Sequence, residues 1–207
     1  MHHYPVSVAL LLFLTKAAMA DPLESLCLGE FEEDTACSVV IGTQQITIKS
    51  NGQLTSSQSE TLRLRMPKDF SLDRVSYMVH SNDAYVAFEI TDGENGGAIV
   101  ARITLDAFSL KWSRDLPAFN PSLLLLDERS IYVGAFGTIA KLDVRTGSIK
   151  WIHSHLYEPD TDVFNAFSKA TKVGTNIVFT ESYNPPSRHQ KVREVVVNDS
   201  NGGILSK

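Results

Sequence analysis

Cysteine is scarce in this chain: two among 207 residues, Cys27 and Cys37. With no histidine nearby, two thiols are too few for a metal site. Their nine-residue separation fits a single disulfide in an oxidising compartment, which would stabilise the chain by roughly 2–3 kcal/mol. Positive charge is also short, with 19 Lys and Arg against 24 Asp and Glu and a net charge of −5. That argues against a nucleic-acid role, which needs a basic surface, and gives no reason to adhere to an anionic membrane. Beyond the first twenty residues no second long apolar run occurs, so no membrane insertion of the remainder is expected. Helical periodicity is missing as well. So are a Gly-x-Ser-x-Gly elbow and a phosphate-cradling glycine loop.

What is present begins with an export signal. Val6 to Leu14 forms an apolar run of signal-core length, too short to span a bilayer. Ala18-Met19-Ala20 follows as a small-x-small cleavage pattern, then the polar Asp21-Pro22. The leading Met1-His2-His3-Tyr4 is atypical in carrying no Lys or Arg. No cysteine follows the cleavage position directly, so a bacterial lipid anchor is not indicated. The expectation is a cleaved segment 1–20, one domain over 21–207, and a secreted or periplasmic location.

Short strand signals fill that domain. Leu62, Leu64 and Met66 alternate with Arg63 and Arg65, which places the three apolar side chains on one face. Further β-branched and aromatic runs cover 75–79, 85–90, 99–105, 123–126, 131–136, 139–144, 177–180 and 192–197. Turn formers separate them at Ser81 to Asp83, Asp92 to Gly97, Thr146-Gly147, Asn184 to Pro186 and Asn201 to Gly203. Short, evenly spaced strands predict an all-β sandwich, barrel or propeller.

Internal repetition chooses among these. Ser109-Leu110-Lys111-Trp112 recurs as Ser148-Ile149-Lys150-Trp151, with the tryptophans 39 residues apart. Ala101 to Asp106 precedes the first copy and Ile139 to Asp143 the second, while a degraded third copy at 195–206 has Ser206 in the tryptophan position. A period near forty with four strands per unit is the spacing of propeller blades. The predicted fold is an all-β, propeller-like array of about four four-stranded antiparallel blades, over 38–66, 73–116, 121–155 and 163–207. Ring closure is the preferred arrangement, with an N-terminal strand completing the last blade as one route to it.

The run Ser130 to Gly134, Gly137 to Asp143 and Thr146 to Trp151 resembles the quinoprotein-type (PQQ-like) propeller repeat, best over residues 75–155. The resemblance implies that Trp112 and Trp151 dock between neighbouring blades, with Gly134, Gly147 and Asp143 at turn and packing positions. It raises the question of a quinone-dependent dehydrogenase. The alcohol dehydrogenases of that family are much longer and add an adjacent cysteine pair that this chain lacks. No cofactor and no catalytic residue is therefore assigned.

Other constellations have modest readings. His153 and His155 would share a face on a strand and could begin a metal site, but no further ligands follow at a useful spacing. Asp92-Gly93-Glu94-Asn95-Gly96-Gly97 is acidic and glycine-rich without the spaced ligands of a calcium loop. Glu30, Glu32, Glu33 and Asp34 read as a solvated loop between the cysteines, and Asn198-Asp199-Ser200 fits the N-glycosylation pattern. The hairpins at 92–97 and 183–191 occupy the same place in their blades. One carries Asp92 and Glu94; the other carries Tyr183, Arg188, His189 and Lys191. Homologous hairpins emerge at one end of a propeller, and long loops on economical folds often bind. The functional expectation is an exported, non-catalytic protein-binding or scaffold propeller, partner unidentified. Alternatives are an inhibitor or immunity-type protein, a metal- or quinone-binding redox protein, and a remnant of a longer propeller.

Overall fold

The computed structural model describes residues 36–41, 43–156, 165–183 and 193–206. These form sixteen strands in four sheets, each a meander of four consecutive antiparallel strands. The first sheet holds β1 (Ala36–Ile41), β2 (Gln44–Lys49), β3 (Gln53–Ser56) and β4 (Thr61–Arg63). The second holds β5 (Ser71–His80), β6 (Asp83–Thr91), β7 (Gly96–Thr104) and β8 (Ser109–Leu116). The third holds β9 (Ser122–Leu126), β10 (Ser130–Ala135), β11 (Thr138–Asp143) and β12 (Ile149–His153). The fourth holds β13 (Asn165–Val173), β14 (Asn176–Tyr183), β15 (Glu194–Asn198) and β16 (Ile204–Ser206). The architecture is the predicted propeller-like array of four blades.

Burial patterns show how the sheets are layered. In β6 five consecutive residues, Ala84 to Phe88, are buried, and in β10 all six are. Both strands lie in sheets covered on two faces, so both sides of the pleat must be apolar. By contrast β2 and β15 alternate buried with wetter positions, the mark of a sheet with one covered face. Three core clusters join the first sheet to the second, the second to the third and the third to the fourth. Among the described residues no cluster joins the fourth sheet to the first.

Among the described residues the four sheets therefore stack as an open row, and the segment before Ala36 that would supply a closing strand lies outside them. The fourth sheet is built from its own four strands, and β1 pairs with β2 rather than completing a distant blade. The physical reason lies in the outward faces. Thr171, Val178, Val196 and Ser206 stand in register across the fourth sheet, and Val40, Gln45 and Thr47 lie on the outer face of the first. Val40 is 62 % exposed and Val173, on the far sheet, 57 %. Small polar and β-branched side chains dominate these faces, as on the capping units of stacked repeats.

Several local expectations shift by a few residues. β4 ends at Arg63, although burial keeps alternating through Met66 because Leu64 still points into the core while Arg65 is exposed. Gly96 and Gly97 belong to β7, so the turn is confined to 92–95. β12 stops at His153 and His155 has a φ of 60°, so the two histidines do not share a strand face. Cys27, the acidic run 30–34, segment 1–20 and Arg188, His189 and Lys191 lie outside the described residues, as does the side chain of Cys37. The disulfide expectation therefore lies outside them too.

Candidate functional site

Two joints between sheets are built to one plan. In the second sheet Tyr85, Arg102 and Trp112 stand in register across three strands; in the third, Tyr132, Lys141 and Trp151 do the same. A register shift follows Arg102 and Lys141 in both, so the two ladders bend alike. Each tyrosine ring sits 6.4 Å from its tryptophan. Each cation lies over its tyrosine, Arg102 at 5.9 Å and Lys141 at 5.4 Å from the ring centroid.

The tryptophans then cover the last turn of the following sheet. Trp112 Nε1 donates to the Val144 carbonyl at 3.1 Å, and Trp151 Nε1 to the Asp199 carbonyl at 3.3 Å. Gly147 and Gly202 lie beneath the indoles with φ of 67° and 75°. A Cβ there would come within 2.5 Å of the Trp112 ring and 2.6 Å of Trp151, so the contact requires glycine twice over. Asp143 shapes the first turn by accepting from the N–H groups of Arg145 and Thr146, both at 3.0 Å. Asn198 does the same in the second, accepting from Ser200 N–H at 3.1 Å. Gly134 serves another contact: a Cβ there would meet the Phe167 carbonyl at 2.3 Å, so its absence lets β13 approach β10.

The joint between the first and second sheets reaches the equivalent carbonyl differently. Gln44 Nε2 donates to the Leu105 carbonyl at 2.6 Å, and Phe108, with φ of 35°, stands where the other turns have glycine. Sequence reasoning missed Gln44, which shares no motif with the tryptophans.

Polar partners differ between the two tryptophan joints. Arg102 pairs with Asp83 of its own sheet at 2.6 Å. Lys141 instead reaches across to Asp199, at 2.5 Å from the carboxylate and 2.8 Å from the carbonyl. The Tyr132 hydroxyl donates to the same carboxylate at 2.6 Å, and Lys172 bridges Asp199 at 3.0 Å and Asp127 at 3.1 Å. Burial works against ionisation of Asp199, but bonds from Lys141, Tyr132 and Lys172 outweigh it and hold the carboxyl at about 2. Burial, then the bond to Asp199, pushes the Tyr132 hydroxyl far above the ordinary tyrosine range. Arg102 and Lys141 occupy matching places in the two copies and were visible in sequence as a recurring cation ten residues before each tryptophan. Their acidic partners were not.

Above the joints, one rim collects the loops. Leu72 N–H donates to the Ser50 carbonyl, Phe136 N–H to Phe119 and Leu156 N–H to Gly137, each at 2.9 Å. These bonds tie the β2–β3 turn, the β8–β9 and β12–β13 connectors and the β10–β11 turn along a single edge. The 92–95 turn lies at the same end of its sheet. There Asp92 accepts from Glu94 N–H at 3.0 Å and from Asn95 N–H at 2.6 Å, which spends the carboxylate on its own turn. The Asn95 side-chain bond leads the contacts that hold that carboxyl below its ordinary range, and Glu94 is exposed. Tyr183 ends β14, and the stem below it is pinned where Glu181 N–H donates to the Arg193 carbonyl at 3.0 Å. Arg193 also lies 3.6 Å from the buried Glu181 carboxylate.

His153 Nε2 bonds the Gly202 carbonyl at 2.6 Å and its ring lies 5.8 Å from Trp151, so it belongs to the third joint. Among the described residues no group of three His, Cys, Asp or Glu side chains is placed to hold a metal.

No family model and no curated protein matches the chain. Solved structures do. One is a quinohemoprotein alcohol dehydrogenase from Pseudomonas putida HK5, 11 % identical, with a TM-score of 0.45 over 91 % of this chain and 35 % of the other. The chain spans about a third of that protein's length. Another is a protein of unknown function from Bacteroides caccae, 13 % identical, with a TM-score of 0.36 over 78 % of this chain and 76 % of the other.

Proposed function

We propose that the chain is an exported, non-catalytic scaffold that binds another protein through its loop rim, in a secreted or periplasmic setting. The observation that carries this reading is the pinned stem of the β14–β15 hairpin. A backbone bond and the Arg193–Glu181 ion pair fix the base of a loop whose sequence holds Arg188, His189 and Lys191. A rigid stem lowers the ordering cost that a binding loop must overcome. The acidic groups with displaced ionisation at the opposite end of the sheets point the same way. Asp83, Asp127 and Asp199 are engaged in joining or bracing sheets, which is structural work.

Tyr183 and Arg188 are the proposed anchors, since tyrosine and arginine dominate interface energetics. The test is a pull-down with the mature chain from its native extract, repeated with Tyr183→Ala and Arg188→Ala combined. One stoichiometric partner, lost in the double variant, is the expected result. Undiminished capture by that variant would remove the hairpin from the binding surface. A redox carrier would instead purify with stoichiometric metal or a visible quinone chromophore.

A further inference from the structure

A second feature of the rim lies where the chain crosses from the first sheet to the second. After β4, Leu64 N–H donates to the Gly52 carbonyl at 2.9 Å and its side chain is buried. Met66 and Phe70 are half-buried, while Arg63, Arg65 and Lys68 are exposed. The crossover is thus an extended segment with its apolar side chains anchored and its cations facing outward. It walls a cleft of about 560 Å³. A second hollow of about 600 Å³ shares Arg65, Met66 and Pro67 with it and continues to Arg114 on β8.

Four cations and two carboxylates, Asp69 and Asp115, line the two hollows. The local balance is therefore positive in a chain whose net charge is −5. Among the described residues none of Arg63, Arg65, Lys68 and Arg114 takes part in an ion pair. Arg114 Nε donates to the Gly147 carbonyl at 3.1 Å, which fixes that side chain against the next sheet. The flanking strands β4 and β8 are both sheet edges, and β8 runs for eight residues. An edge strand offers backbone donors and acceptors to an added strand.

We propose that this cleft binds an extended, carboxylate-rich segment of a partner protein. The proposal rests on the protein-binding reading and adds the partner's chemistry. Arg63 and Arg65, two residues apart on extended backbone, stand about 6.7 Å apart along the chain. That is the spacing of acidic side chains at alternate positions of a strand. Asp69 and Asp115 in the wall disfavour a dense polyanion such as nucleic acid, while a peptide with spaced carboxylates can lie between them.

The test uses the mature chain and a fluorescein-labelled eight-residue peptide alternating threonine with glutamate, read by anisotropy. Saturable binding is expected, weakening as salt rises and absent for the threonine–glutamine peptide. Arg65→Gln with Lys68→Gln should weaken binding at least about tenfold without changing the thermal transition. Lys111→Gln, on β8 but outside the cleft, should leave the affinity unchanged. Unaltered affinity in the Arg65/Lys68 variant would overturn the proposal. So would equal competition by inorganic phosphate or heparin, which would mark a general anion site. Binding that appears only after Glu30, Glu32, Glu33 and Asp34 are changed to glutamine would overturn it too, by assigning the cleft to the chain's own acidic run. A native partner captured in the pull-down while the peptide fails to bind sinks this proposal and leaves the hairpin reading standing.

Discussion

The joints made by Trp112 and Trp151 share a ladder, a bulge, an indole bond and a glycine, yet they neutralise their cations differently. Arg102 takes its acid from its own sheet, so its charge is balanced before the next sheet arrives. Lys141 takes its acid from the neighbouring sheet, together with Tyr132 and Lys172. The apolar plan is therefore repeated, while among the described residues ion pairs between sheets are confined to the third joint, the second being crossed by cation–carbonyl bonds from Arg102 and Arg114. Packing alone can stack two sheets; the second design also makes stacking sensitive to charge.

The largest effect should come from deleting the indoles. Trp112→Ala and Trp151→Ala should each cost about 3–5 kcal/mol in urea unfolding, with Trp151→Ala the worse because the turn it covers also carries the Lys141–Asp199 ion pair between sheets. A cost below about 1 kcal/mol for either would break the equivalence of the joints. Next are Gly147→Ala and Gly202→Ala, expected to cost about 2–3 kcal/mol each and to match one another, since both add a Cβ under an indole at positive φ. Unequal costs would mean that the two turns are not copies.

Lys141→Met should cost about 2 kcal/mol, because it removes a partner from a largely buried carboxylate whose side chain is 15 % exposed. Arg102→Met should cost about 1 kcal/mol or less, since that pair is wetter and solvent screens it. The reverse order would sink the electrostatic contrast.

The smallest effect is a pH response. The Asp199 carboxyl is held at about 2 in the folded chain, below the ordinary 3.8. Its contribution is complete above the unfolded value and disappears as pH falls from about 4 through 2. The chain has two tryptophans, so Trp112→Phe leaves Trp151 as sole reporter of the third joint, and Trp151→Phe isolates the second. Asp143, in the turn under Trp112, is also held at about 2, but its partners lie within its own sheet. On acidification the Trp151 emission should therefore show the larger move to longer wavelength. Equal shifts would show that Asp199 does not distinguish the joints.

Much of this arrangement was legible in the residues, for a physical reason. The 39-residue recurrence of Ser-aliphatic-Lys-Trp marks a repeated packing duty, and repeated duties leave repeated side chains. The first sheet was less legible because its joint uses Gln44 and Phe108 in place of tryptophan and glycine. The open row formed by the described residues was hidden for another reason. Whether Val178, Val196 and Ser206 face a neighbour or water depends on how far successive sheets rotate, which no local pattern records. Of the candidate site, the shared hairpin position of 92–95 and 184–193 could be read from strand order. The Lys141–Asp199 pair could not, since its partners are 58 residues apart and only the stacked sheets bring them together. The cleft at Arg65 was foreshadowed by the alternation of Leu62 to Met66, where every second residue is a cation.

The repeated joint is tested most directly by hydrogen exchange at the two indole N–H groups, followed by NMR on the folded chain. Both donate to half-buried turn carbonyls from largely buried rings, so both should exchange at least about a hundredfold more slowly than free indole. An indole proton of Trp112 or Trp151 that exchanges at the free rate while the protein remains folded would contradict the stacked-sheet account.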